Sequence, residues 1–213
     1  MKYLKTYKLF ENYSKELYLK NESEWSNADE NTKKISILYN TTTLPELPEN
    51  LEILICHSKG IEKLPTLPKT LKELHCQNNN LERLPELPES LRVLNSSYNQ
   101  LIELPKLPNG LNNLNIRDNN IKNLTKLPKK LYICRIGNNP LERLPEGMSK
   151  NLLYFNDNDW IKENIFKWLK NEPSCYYIIK DFLTDIQQKY FEKNGAEGIE
   201  DLTQFGMFGL KNN

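Results

Sequence analysis

Leucine recurs along the middle of the chain at a fixed interval of 20 residues. One series opens a proline-rich segment in each period and consists of Leu44, Leu64, Leu84, Leu104, Leu124 and Leu144. A second series keeps the same interval with Leu51, Leu71, Leu91, Leu111 and Leu131. Self-similarity at a short fixed period is typical of repeat architectures. The sequence therefore predicts a stack of equivalent coils over roughly residues 44–152.

Each period predicts a short strand followed by an extended return limb. In the unit that begins at Leu71, the alternating residues Leu74 and Cys76 place their side chains on one face of a strand. The limb carries Leu-Pro-x-Leu-Pro or a variant of it, and its fullest form covers residues 84–88. Proline lacks a backbone donor and fixes φ, so the limb is predicted to be polyproline-like. One coil cannot bury its own apolar face, whereas stacked coils share a continuous core.

Five positions define the repeated unit, and in one unit they are Leu71, Leu74, Cys76, Asn79 and Leu81. They match the leucine-rich repeat pattern L-x-x-L-x-L-x-x-N-x-L. With its 20-residue length and its Leu-Pro-x-Leu-Pro segment, the array resembles the short bacterial repeats of IpaH-type and YopM-type effectors. The predicted fold class is an α/β-type repeat solenoid. It is a leucine-rich repeat horseshoe with parallel strands on the concave face, an extended convex limb and helical terminal caps.

Segments outside the array are predicted to cap its apolar ends. A stripe formed by Tyr3, Tyr7, Phe10 and Leu17 indicates a helix near the N-terminus, within a cap that is helical or mixed. The predicted segments are an N-terminal cap with a degenerate first strand (1–43), the repeat array (44–158), a C-terminal helical cap (159–195) and a tail (196–213).

An asparagine occupies one fixed position in four successive units, and these residues are Asn79, Asn99, Asn119 and Asn139. A polar binding row is one interpretation. The favoured interpretation is structural, because a buried asparagine can satisfy backbone groups where a coil turns. Lys59 takes this position in the first unit and Gly60 follows it, so that unit is expected to be looser.

The outward positions of each strand alternate with the core positions and are predicted to line the concave face. This face begins apolar, becomes polar in the middle and ends basic. Tyr98, Arg117 and Arg135 are its candidate anchors, because tyrosine and arginine are common in binding hot spots. The predicted partner-binding residues are Ile53, Ile55, His57, Glu73, His75, Gln77, Val93, Asn95, Ser97, Tyr98, Asn113, Asn115, Arg117, Ile133 and Arg135.

Cysteine and histidine form no metal-binding or catalytic pattern in the sequence. Cys56 and Cys76 occupy equivalent interior positions of adjacent coils, which would allow a disulfide but favours two small core thiols. His57 and His75 each adjoin one of these cysteines, and neighbours on a strand point to opposite faces. No metal, cofactor or catalytic residue is predicted.

The resemblance to IpaH-type effectors raises the question of enzymatic activity, because those proteins add a large ubiquitin-ligase domain. Only residues 153–213 follow the array, which is too few for such a domain. The catalytic thiol of that family lies in a Cys-x-Asp setting, whereas Cys175 precedes Tyr176 and Tyr177. The chain is therefore not expected to be an enzyme.

Charge changes sign along the array although the whole chain carries a net charge of only +1. Residues 41–100 hold six basic and eight acidic residues, whereas residues 101–140 hold seven basic and two acidic ones. Lys126, Lys129 and Lys130 fall on the proline limb. No stacking aromatics accompany these lysines, so a solvated face is favoured over a nucleic-acid site.

The predicted function is a monomeric protein-interaction module that binds an unknown protein partner on the concave face. One alternative is a structural or assembly component of a virion or cell surface, acting through its helical ends and tail. A second alternative is an adaptor subunit of a ubiquitin-ligase-like effector. The sequence shows no signal peptide and no transmembrane segment, so a cytoplasmic location is expected, and export as an effector stays open.

Overall fold

A computed structural model describes residues 15–124, 126–142 and 192–193 of the 213-residue chain. The predictions for the C-terminal helices and for the tail lie outside these described residues. A 3-10 helix over Glu22–Asn27 connects the first two strands. The strands are β1 (Lys15–Leu19), β2 (Thr32–Ile37), β3 (Ile53–Ile55), β4 (Glu73–His75), β5 (Val93–Asn95), β6 (Asn113–Asn115) and β7 (Ile133–Arg135).

Within the described residues, all strands join one seven-stranded sheet whose order follows the chain from β1 to β7. Every neighbouring pair is parallel. The register places Leu54, Leu74, Leu94 and Leu114 directly beside one another. Parallel neighbours need a crossover connection, and here each crossover is one return limb. The structure therefore confirms the predicted solenoid of stacked parallel strands.

Two strands lie before residue 44, where the sequence predicted a cap with one degenerate strand. Leu17 was placed on a helical stripe, but it lies in β1 and pairs with Ile35 of β2. Ile35 in turn pairs with Leu54. The spacings along this column are 18 and 19 residues, so the coils of β1 and β2 do not share the 20-residue period and its signal ends before them.

The interior of the solenoid is a single column of aliphatic side chains with a few small polar or sulfur-containing ones. Leu74 and Leu94 come from the strands, whereas Leu71 and Leu81 come from the corners of the coil, and all four are fully buried. Each buried leucine contributes roughly 1.5–3 kcal/mol relative to an exposed one. Because each coil is covered only by its two neighbours, this contribution depends on stacking.

The return limbs between β3 and β7 contain no helical residue in their described part. Each limb ends in a tight turn, in which the leucine three positions after the second proline donates its backbone N–H to that proline. Leu71 N–H donates to the carbonyl of Pro68 and Leu91 N–H to that of Pro88, at 3.0 and 2.9 Å. The turn directs the chain back into the next strand, so every coil begins at the same place.

Candidate functional site

The strands present one face to the core and one face to solvent, and the solvent side is called the open face here. Its residues stand in two in-register columns, because successive strands pair without a shift from β3 to β7. The columns are Ile53, Glu73, Val93, Asn113 and Ile133, and Ile55, His75, Asn95, Asn115 and Arg135. These ten residues were all predicted for the concave face, and the structure brings them onto one surface.

Accessibility differs among the predicted contact residues. The ten column residues are half-buried except Arg135, which is exposed, and His57 and Tyr98 are exposed beyond the strands. Ser97 was expected among the contacts, but its side chain is only 3% exposed. The Ser97 hydroxyl donates to Asn95 Oδ1 at 2.9 Å, so this serine orients its neighbour and is not itself offered to a partner.

The open face continues onto the N-terminal strands, which the sequence analysis did not include. Glu16 and Lys34 extend the first column, and Tyr18 and Ser36 extend the second. Glu16 Oε2 lies 3.1 Å from Lys34 Nζ. This hydrogen bond lowers the pKa of Glu16 and raises the pKa of Lys34. The alternation of polar and apolar residues over 15–19 is the signal that could have identified β1.

Further charge pairs lie on or beside the face in the later coils. His75 Nε2 is 3.2 Å from Glu73 Oε2, and Arg117 Nε is 3.0 Å from Asp118 Oδ2. These pairs are partly exposed, so each contributes little to stability. Their side chains are held by neighbours on the same coil, and their charges are presented at defined positions.

Four asparagines form a ladder at the edge where the strands end, and each is at most 9% exposed. Asn79 is representative. Its amide nitrogen donates to the carbonyls of Cys56 and Cys76 at 2.9 and 3.0 Å. Its Oδ1 accepts from the backbone N–H groups of Lys59 and Ile61 at 2.9 and 3.0 Å. Each rung therefore joins two coils, and the first coil is joined by Asn79 although it has Lys59 in place of an asparagine.

The residue just before each ladder position has a left-handed backbone. The residues with this conformation are Ser58, Asn78, Tyr98, Asp118 and Asn138, with φ between 52° and 59°. Serine, asparagine and aspartate are small and polar, and asparagine and aspartate are the side chains that tolerate it best. Tyr98 is the bulky member of this series, and it is 54% exposed. Its ring is thus displayed next to the open face from a strained backbone.

The cysteines belong to the core. Cys56, Cys76 and Cys134 are free thiols and fully buried. Burial raises the pKa of Cys56 and of Cys134 to about 12, and it raises that of Cys76 further. In the described part of the chain, no cluster of His, Cys, Asp or Glu is arranged to hold a metal ion. Nor does that part contain a helix with the length and apolarity needed to cross a membrane.

Parallel strands in register, a leucine-filled interior and a buried asparagine at each turn together define a leucine-rich repeat solenoid. The open face is the surface on which its coils differ from one another. Between β3 and β7 the interior strand position is leucine in all coils but the last, whereas the first outward column contains isoleucine, glutamate, valine and asparagine.

No protein-family model and no curated protein matches the chain. Among solved structures, the leucine-rich effector protein YopM from Yersinia pestis is 36% identical, with a TM-score of 0.55 over 60% of this chain and 37% of its own. A Shigella effector leucine-rich repeat domain is 31% identical, with a TM-score of 0.51 over 61% of this chain and 71% of its own. YopM from Yersinia enterocolitica is 29% identical, with a TM-score of 0.46 over 56% of this chain and 31% of its own. The chain therefore belongs to the leucine-rich repeat proteins of the YopM and IpaH type, and it spans about a third of the length of the YopM structures.

Proposed function

We propose that this protein is a protein-interaction module whose partner binds the open face of the sheet. The contrast between the two faces carries this proposal. Inside, Leu74, Leu94 and Leu114 repeat one residue type. Outside, each coil presents different chemistry on an equally regular backbone. A surface that varies on a rigid and repetitive scaffold is what recognition of one particular partner requires.

The open face also has the composition of a binding surface. Tyr98 is 54% exposed and Arg135 is exposed, and tyrosine and arginine are enriched among residues that dominate binding energy. Ile53, Ile55 and Val93 add half-buried apolar contact area. The proposed partner is a folded protein that places an apolar patch on the early coils and accepts hydrogen bonds from the late ones.

We infer further that the sheet lies on the concave side of a horseshoe. Strands in a sheet stack about 4.8 Å apart. The proline-bearing limbs carry bulkier side chains and no strand ladder, so they stack more widely and bend the solenoid towards the sheet. A concave face would enclose a convex partner and bury more of it than a flat face would.

We also propose that the chain binds without catalysing a reaction. The raised thiol pKa values keep Cys56, Cys76 and Cys134 protonated at neutral pH, and a protonated buried thiol is a poor nucleophile. The similar proteins from Yersinia pestis and Shigella are effectors, and by this likeness we extend an effector role to this chain.

The test is a pull-down with three full-length baits from lysates of source cells and of candidate host cells. The first bait is the wild type, and the second combines Tyr98→Ala with Arg135→Ala on the open face. The third is a matched control that combines Tyr132→Ala with Arg83→Ala, because these residues are of the same types and are exposed elsewhere. We expect wild type and control to retain one partner that the open-face variant loses. Equal retention by all three baits would refute binding on the open face.

A further inference from the structure

A groove of about 1030 Å³ crosses the return limbs of the two coils that contain β6 and β7. It lies across the core from the open face, because strand and limb are opposite sides of each coil. Among the charged residues that line it, basic ones dominate. They are five lysines and one glutamate, namely Lys106, Lys122, Lys126, Lys129, Lys130 and Glu103.

The lysines are local to this groove and are not imposed by the repeat. One limb position reads Glu46, Thr66 and Glu86 in the early coils and then Lys106 and Lys126 here. Another limb position has glutamate in the first and third coils and lysine only in the fifth. Because the fold accepts either sign at these positions, the cluster of positive charge is a feature of this surface alone.

The single carboxylate of the groove is already engaged. Glu103 Oε1 forms an ion pair with Arg83 of the preceding coil. Lys106 Nζ lies 3.7 Å from Glu89 Oε1, but both side chains are largely exposed, so this pair is weak. Lys122 and Lys129 form no ion pair with any residue in the described ranges. The groove therefore retains an excess of positive charge.

An apolar element lies within this basic surface. Ile102 is 46% exposed, and the equivalent positions of other coils hold Glu62, Glu82, Lys122 and Glu142. Leu104 and Leu107, which also line the groove, are half-buried. An exposed isoleucine at a position that is otherwise charged is more informative than a scattered surface leucine.

We propose that this groove binds an acidic peptide segment of a partner protein, with an aliphatic side chain of the segment packed on Ile102. Charge complementarity selects the acidic residues, and Ile102 with Leu104 selects the apolar one. The groove lacks aromatic side chains among its lining residues, so it has no platform on which nucleic-acid bases could stack. The site is separate from the open face and would hold a second partner or a second part of the same one.

Fluorescence anisotropy with the full-length protein tests this proposal. The probe is a labelled short peptide that repeats glutamate-glutamate-leucine, and the comparison probe replaces leucine with serine. We expect the leucine probe to bind wild-type protein, and its affinity to fall as salt is raised because the contacting charges are exposed. The serine probe is expected to bind at least about fivefold more weakly, since it cannot use Ile102.

Two matched pairs of charge reversals locate the binding. Lys122→Glu combined with Lys129→Glu is expected to weaken binding of the leucine probe at least about tenfold. Lys63→Glu combined with Lys69→Glu makes the same charge change at exposed limb positions outside the groove, and it is expected to change affinity less than about twofold. Ile102→Gln is expected to remove most of the difference between the leucine and serine probes. Thermal melts of each variant verify that it is folded.

Three results would overturn the proposal. The first is an absence of detectable binding of the leucine probe to the wild-type protein. The second is an equal loss of affinity in the groove variant and the limb control, which would mean a general charge effect. The third is tighter binding of a single-stranded RNA oligonucleotide, or of phosphatidylserine vesicles, through the same lysines. That outcome would assign the groove to a phosphate-bearing ligand.

Discussion

Asn99 shows how much of the fold can depend on one side chain. Its amide nitrogen donates to the carbonyls of Cys76 and Ser96 at 3.0 and 3.1 Å, and its Oδ1 accepts from the N–H of Leu81 at 3.1 Å. All of these backbone groups are buried, and a buried polar group without a partner is costly. No aliphatic residue can replace such a side chain, which is why the ladder accompanies a leucine-rich interior.

Replacement of Asn99 by alanine should therefore destabilise the protein strongly. We expect Asn99→Ala to lower the free energy of unfolding by about 3 kcal/mol, because it leaves several buried backbone groups unpaired. Asn120→Ala is the matched control at an exposed asparagine, and its effect should stay within about 0.5 kcal/mol. Urea denaturation measures both values. Equal effects of the two substitutions would show that the ladder is not structural.

Tyr98 should show the opposite behaviour, because its backbone is strained. We expect Tyr98→Asn to raise the free energy of unfolding by about 1 kcal/mol, since asparagine tolerates the left-handed conformation that tyrosine resists. Tyr132→Asn is the control, because Tyr132 is 59% exposed and is absent from the residues with positive φ. Thermal melts compare the two variants. A loss of stability in Tyr98→Asn would mean that the ring packs favourably and that the strain is negligible.

The buried thiols predict a loss of stability at alkaline pH. Folding raises the pKa of Cys134 from 9.0 to about 12, so the folded protein keeps a proton that the unfolded chain releases above pH 9.0. The stabilisation is complete below that value and is lost as pH rises towards about 12. Over this window each such thiol should contribute a decline of about 1.4 kcal/mol per pH unit. Denaturation of wild type and Cys134→Ala between these pH values tests this, and identical slopes would contradict it.

At the scale of the strand, the period of the sequence was sufficient for β3 to β7 and insufficient for β1 and β2. A fixed spacing places Leu54, Leu74 and Leu94 side by side before any coordinates are known, and the structure has this register. Leu17 and Ile35 join the same column at spacings of 18 and 19 residues, which a search at a single period does not detect. Length variation in a turn changes the spacing without changing the pairing.

The orientation of a strand can be tested by two adjacent truncations. Leu94→Ala is expected to lower the free energy of unfolding by about 3 kcal/mol, because its side chain is fully buried and leaves a cavity. Val93→Ala should cost less than about 1 kcal/mol, since Val93 is half-buried on the open face. Chemical denaturation of both variants gives the comparison. A larger cost for Val93→Ala would reverse the two faces of the sheet.

At the scale of the whole molecule, the sequence predicted which residues share the open face, but it did not predict the groove. Alternation along a strand is enough to assign Ile53 or Arg135 to a face. The groove instead depends on how limbs of adjacent coils approach each other, and it unites Ile102 with Lys122 and Lys129 from the next coil. Ser97 illustrates a related limit, because alternation placed it outward and only its hydrogen bond to Asn95 shows why it is buried.

The central claim is that a protein partner is bound on the open face, and site-specific photo-cross-linking tests it most directly. A photoreactive phenylalanine derivative replaces Tyr98 on the open-face side in one protein. In a second protein it replaces Glu82, which is exposed on a return limb outside the groove. After irradiation in lysate, we expect a discrete partner adduct from position 98 and none from position 82. An adduct from position 82 with none from position 98 would contradict the account.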